Sequence, residues 1–171
     1  MKKDNRGLSL VELVIVIAIM TVLTGVISMG IGIAVSKPAD ECASKLKAAL
    51  QNARVTSMGK LDTTISVYTK DGKIYLMQKV VSESGTNSTE TLIGAKGVEV
   101  KYKISGESSY RDLGDSSHPL VLSFNRSSGA FKDLSAMGFA TKTYCVEIQV
   151  SKGNKTKLLK LSSLTGKIQM E

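Results

Sequence analysis

The chain has no Trp, three Phe, five Tyr, two Pro, two Cys and a single His in 171 residues. One His and two Cys cannot supply the four N or S ligands of a zinc site. His118 precedes Pro119 in a polar stretch and reads as a surface loop residue. No Ser-His-Asp order or nucleophile elbow forms around it. A pairing of Cys145 with His118 is the only nucleophilic arrangement left, which makes an anchored enzyme the poorer class. Gly30-Ile31-Gly32 is not continued into a phosphate loop, and no Walker A sequence is present. No repeat of 20–50 residues occurs. The residues thus point to no enzyme, no cofactor and no metal.

Charge is missing over 24 consecutive residues, 13–36. As a helix this run would extend ~36 Å, enough to cross a bilayer. Ahead of it stand Lys2, Lys3 and Arg6, and one acid, Glu12, at its edge. A carboxylate beside an apolar run is costly unless something pairs with it. A secretory signal peptide would explain the basic leader but not Glu12, the length of the run, or the lack of a clear small-residue cleavage site. A plain single-span anchor, with the short N-terminus in the cytoplasm, accounts for the basic residues and the length.

Gly7-Leu8-Ser9-Leu10-Val11-Glu12 resembles the class III leader of type IV prepilins and pseudopilins. In these, Gly is followed by Phe or another apolar residue, then Ser or Thr, Leu, Val and Glu, and then by a long apolar helix. Leu8 stands where Phe is commoner. The resemblance implies that a membrane aspartyl prepilin peptidase cuts between Gly7 and Leu8 and that the Leu8 amine is then methylated. It also implies that Glu12 meets the N-terminal amine of a neighbouring subunit in a helical filament, so that the pair sets the register. No Pro occurs before Pro38; Gly25, Gly30 and Gly32 would loosen the helix or allow close packing.

The net charge is +8. Removing residues 1–7 takes three bases and one acid, leaving 20 basic and 14 acidic side chains, +6. Such an excess is ordinarily a solvated surface. Roughly 135 residues follow the hydrophobic end, enough for one domain with a core.

From 37 to 59 the pattern is an amphipathic helix with Ala39, Ala43, Leu46, Leu50, Ala53 and Ser57 on one face. Pro38 either stands in a first turn capped by Ser36 or kinks one continuous helix. Residues 63–70 and 73–81 are predicted strands joined at Asp71-Gly72. Residues 82–90 and 106–118 read as polar loops. Residues 97–105 alternate, with Val98, Val100, Tyr102 and Ile104 inward. Residues 119–125 read as a buried strand, and 126–142 are ambiguous. Strands at 143–150 and 157–162 flank the turn Lys152-Gly153-Asn154-Lys155, and Thr165-Gly166 turns into 167–170. The expected fold is α+β: a long N-terminal helix packed on an antiparallel sheet. Its segments are a cleaved leader 1–7, a hydrophobic helix 8–36, an amphipathic helix half 37–59 and a globular β domain 60–171.

If this part is exported, Cys42 and Cys145 would be able to form a disulfide across a long loop. Strict alternation argues otherwise, because it puts Val146, Ile148 and Val150 in the core and Cys145 on the opposite face with Glu147.

The order of elements resembles the H-type minor pseudopilins of type II secretion and the FimT-like minor pilins. The carrying residues are 48–54, Asp71-Gly72 and Thr165-Gly166-Lys167. The resemblance implies a structural subunit, minor pilin or pseudopilin, whose partners are other pilin subunits, the prepilin peptidase, the membrane before assembly and, indirectly, an assembly ATPase and platform protein. It would reside in the cytoplasmic membrane and then in an extracellular or envelope filament. An alternative is a competence-type pseudopilin that binds DNA through Lys152, Lys155, Lys157, Lys160 and Lys167. Some FimT-like pilins use a Gly-Arg-x-Arg stretch for this. Here it is Gly166-Lys167-Ile168-Gln169, without Arg, and no aromatics interleave the lysines.

Overall fold

A computed structural model describes residues 10–59, 61–83 and 85–171, with side chains described in the helix for 10–21 and from 37 on. The chain divides into two compact units, Met1–Val35 and Ser36–Glu171. One helix, α1 (Leu10–Met58), carries Pro38 in its interior. Pro38 supplies no N–H to the preceding turn, so one hydrogen bond of the ladder is missing there.

In the second unit the face read from helical spacing is the face that is buried. Ala39, Ala43, Leu46, Leu50, Ala53 and Ser57 are all fully enclosed, and Cys42 joins them. Small residues let the sheets approach the helix closely, while Leu46 and Leu50 fill the space between. Burying each leucine contributes about 1.5–3 kcal/mol.

Among the described residues nine strands follow, all antiparallel. β1 (Asp62–Lys70), β2 (Lys73–Ser82), β3 (Gly85–Gly94) and β6 (Leu120–Ser123) form one sheet in the order β3-β2-β1-β6. β4 (Glu99–Ile104), β5 (Arg111–Asp112), β7 (Cys145–Lys152), β8 (Lys155–Leu161) and β9 (Ile168–Met170) form the other, in the order β5-β4-β7-β8-β9. A single turn of 3-10 helix covers Ser135–Met137. Side chains from both sheets and from the helix meet in one core. Asp71 and Gly72 join β1 to β2 with φ of 53° and 69°, the left-handed pair that a two-residue hairpin requires.

Four expectations are corrected. The single sheet is two, because β4 leaves β3 through the turn at 95–98 and pairs with β7 instead. Alternation shows which face of a strand is buried but not which strand lies beside it. The polar stretch 82–90 is largely strand: β3 pairs with β2 from Ser82↔Gly85 to Ile74↔Gly94. It is an edge strand whose first eight residues are exposed, so it has no apolar alternation to read. Within the expected loop 106–118, Arg111 and Asp112 pair with Tyr102 and Lys101.

The fourth correction concerns Cys145. Ile104 pairs with Cys145 while Lys103 pairs with Glu147, which leaves Val146 as the extra residue of a bulge. The bulge reverses the parity of the strand, so Cys145 faces the core and Val146 is only half-buried. The structure holds Cys42 and Cys145 as two free, buried thiols rather than a disulfide. The Cys42 thiol lies against Gly94, where a Cβ would come 3.0 Å from Sγ. The Cys145 thiol donates to the Glu147 carbonyl at 3.6 Å.

The far end of the helix is locked by backbone packing. Arg54 Nε donates to the Gly129 carbonyl at 3.1 Å. Gly166, at φ +64°, presses on the same carbonyl, and a Cβ there would lie 1.8 Å from the oxygen and 2.8 Å from Arg54 Nε. The 125–129 turn, the 162–166 turn and the helix thus share one contact point.

Gly166→Ala should therefore destabilise the chain by about 3 kcal/mol or more, through overpacking added to left-handed strain. Gly138→Ala, at φ +84° with nothing within 4 Å, should cost only the strain, about 1 kcal/mol. Urea unfolding in detergent, followed by circular dichroism, measures both; equal losses would contradict the contact. Burial pushes the pKa of both thiols up to about 12. Since only the thiolate attacks, neither cysteine should react with an aromatic disulfide reagent near ~pH 8, where about one thiol in ten thousand is ionised. Two equivalents should appear on denaturation, and a fast native equivalent would contradict the burial.

Candidate functional site

Over the described side chains of the first unit, 10–21, the helix is apolar on every side save for Glu12. From Leu10 to Met20 the large hydrophobic side chains are 45–79% exposed, and they occupy consecutive positions rather than one stripe. A helix apolar all round belongs inside something else, a bilayer or a bundle. The Thr21 hydroxyl donates to the Ala18 carbonyl at 2.8 Å, so this polar group is satisfied within the helix. Glu12 is the acidic residue of the first described turn of α1.

Gly7 and Leu8, the expected cleavage pair, lie outside the described residues, as do Lys2, Lys3 and Arg6. Gly25, Gly30 and Gly32 fall within α1, but what packs on them lies outside the described side chains. Among the described residues no helix is long and apolar enough to cross a membrane; of the charge-free run they include the side chains of 13–21.

The five lysines read as a candidate polyanion contact do not share a face. Lys152 has the parity of the buried Ile148 and Val150, and Lys155 and Lys157 that of Leu159 and Leu161. These three therefore point to the helix side. Lys157 reaches Asp40 of α1 at 3.8 Å, and Lys152 Nζ donates to the Lys96 carbonyl at 3.3 Å. Lys160 points to the opposite side and pairs with Glu171 at 2.8 Å, which raises its pKa. That outer surface carries mixed charge. Glu147 stands between Lys103 and Lys160 in register and accepts a hydrogen bond from the Tyr110 hydroxyl at 2.7 Å. Lys167 is exposed in the turn before β9. Lys96, which contributes to this arrangement, was not among the sequence candidates; only the order of the turns brings it beside Lys152.

His118 is exposed on the loop after β5, with Nδ1 3.4 Å from Asp115 Oδ1. Asp115 accepts the N–H groups of Ser117 and His118, which lowers its pKa. The thiol of Cys145 is engaged instead with its own strand. Among the described residues no three His, Cys, Asp or Glu side chains gather as metal ligands.

Residues 2–28 match the family model of the prokaryotic N-terminal methylation motif. No curated protein and no solved structure matches the chain. The motif is the class III leader of type IV pilins, a family of structural subunits rather than of enzymes. It implies processing by prepilin peptidase, anchoring in the membrane before assembly, and assembly with other pilin subunits into a surface filament. The chain thus carries, on an α+β body, a prokaryotic N-terminal methylation motif at residues 2–28.

Proposed function

We propose that the chain is a minor pilin or pseudopilin, a structural subunit built into a type IV pilus-like filament through its N-terminal helix. Residues 1–7 are the leader. Prepilin peptidase cuts between Gly7 and Leu8, and the Leu8 amine is methylated. Residues 8–36 lie in the membrane and then in the filament core, 37–59 continue the helix against the sheets, and 60–171 decorate the outside. The ATPase and platform protein of the machine act on it from elsewhere.

The observation that carries this reading is the run of large apolar side chains exposed on every side of the helix from Leu10 to Met20, inside the matched methylation motif. Neighbouring helices of the same kind would cover that surface. Inside such a bundle the dielectric is low and a carboxylate is stable only beside a positive group. The Leu8 amine of a neighbour, freed by cleavage, is such a group. A subunit out of register would leave Glu12 and an amine apart, so the pair selects the register as well as stabilising it.

Glu12→Ala should be cut normally but fall about tenfold or more in sheared filaments, since separating a buried pair is costly. Normal incorporation would remove the register role. Gly7→Ala should leave the leader attached. Mass spectrometry of the N-terminal peptide measures both, and a wild-type chain that keeps residues 1–7 everywhere would make this a plain single-span anchored domain.

A further inference from the structure

The antiparallel order of the second unit carries a consequence for its charge. The chain enters this unit at Ser36. β1 runs back from the C-terminal end of the helix, so the β1–β2 turn closes at the end where the chain enters. β3 returns to the same end, as does β7. Contacts fix this placement: a Cβ at Gly94 would lie 2.9 Å from Ile74 and 3.0 Å from Cys42 Sγ. Asp40 meets Lys157 at 3.8 Å. The turns also touch each other. A Cβ at Gly72 would lie 3.6 Å from Lys96 Cγ, and one at Gly97 would lie 3.8 Å from Lys152 Cε.

Six lysines therefore gather at one tip: Lys37 from the helix, Lys70 and Lys73 from the first turn, Lys96 from the second, and Lys152 and Lys155 from the third. All but the half-buried Lys152 are exposed. Among the described ion pairs, none uses these six. Most of the acids nearby are occupied. Asp40 is held by Lys157, Glu41 by Lys45 at 4.0 Å and Asp112 by Lys101, and Asp115 accepts the N–H groups of its own loop. Asp71 and Glu99 remain. Other lysines, such as Lys132 and Lys160, are by contrast set beside carboxylates.

We infer that this tip is a docking surface for anionic phospholipid headgroups, occupied while the subunit is still anchored. The inference rests on the filament-subunit reading, in which the apolar run is seated in a bilayer. Lys37 is the first charge after that run, so the tip is tied by the chain itself to the headgroup layer. A lysine near an anionic membrane surface gains about fivefold in binding, and several together hold a domain against the surface in a salt-dependent way. Lipid is favoured over nucleic acid as the occupant because the tip is tethered at the bilayer and Tyr75, the aromatic beside the first turn, is already engaged by Lys70 at 5.9 Å and by the Tyr68 ring at 6.1 Å.

The test uses the full chain in nanodiscs of phosphatidylcholine with or without phosphatidylglycerol, and lysine acylation read peptide by peptide by mass spectrometry. Labelling of the six tip lysines should slow about threefold or more with phosphatidylglycerol. Lys79, Lys132 and Lys167 should not change, and high salt should abolish the difference. The triple variant Lys70→Glu, Lys73→Glu, Lys155→Glu should remove the protection of Lys96 and Lys152. Equal labelling in both discs by an inserted chain overturns the lipid surface and leaves the filament reading standing. A chain that does not insert at all overturns both. Stronger protection by added duplex DNA in neutral discs than by phosphatidylglycerol assigns the tip to nucleic acid and overturns the lipid reading.

Discussion

The constraint on which the rest depends is that one helix must satisfy two different surroundings. Between Ala39 and Ser57 its apolar positions recur every three or four residues, and the chain's own sheets cover them completely. Between Leu10 and Met20 they are consecutive, and a single sheet face could never cover them. The first pattern specifies a fold that closes on itself. The second specifies a segment that needs a solvent other than water. The small side chains of the second half, Ala39, Cys42, Ala43 and Ala53, set how near the strands can come, and so the sheets are built around the helix.

Legibility in the sequence followed this division. The buried face of 39–57 and the inward residues Val98, Val100, Tyr102 and Ile104 could be read because burial imposes a period, and both periods are simple. The Asp71-Gly72 hairpin could be read because its backbone demands those residues. The strand β3 could not, since an edge that meets solvent on both faces needs no apolar alternation. The inward turn of Cys145 could not either: a bulge at Val146 shifts parity by one, and nothing local marks it. The Arg54–Gly129–Gly166 contact joins positions far apart in the chain, and only tertiary structure brings a glycine's missing Cβ to a carbonyl.

The lysines illustrate the same point for charge. Lys152, Lys155, Lys157 and Lys160 look like one cluster because they are close in sequence. A strand sends alternate residues to opposite faces, and a helix acid and the C-terminal Glu171 take up two of them. Lys70, Lys73 and Lys96 are scattered in sequence, yet the turns that carry them close at one end. For a β protein, a run of like charge says less about a surface than the topology of its turns does. The Gly166-Lys167-Ile168-Gln169 stretch fares no better, since Lys167 stands exposed in the turn before β9 and no described ion pair or hydrogen bond of its side chain ties it to the other four lysines.

Moving a helix from lipid into a bundle does not remove apolar area from water, because lipid tails are as apolar as leucine. The hydrophobic effect that closes the second unit therefore contributes little to assembling the first. What remains is close packing between helices, with glycines at 25, 30 and 32 available for near approach, and the charge pair offered by Glu12. Both are short-ranged and sensitive to register. In the proposed filament, a subunit that gains so little from non-specific contact would have few stable wrong positions, and its extraction from lipid would need work from outside the chain. Specificity at the helix and energy from a separate motor would then be two sides of one physical fact: such a helix is equally at home in lipid and in a bundle.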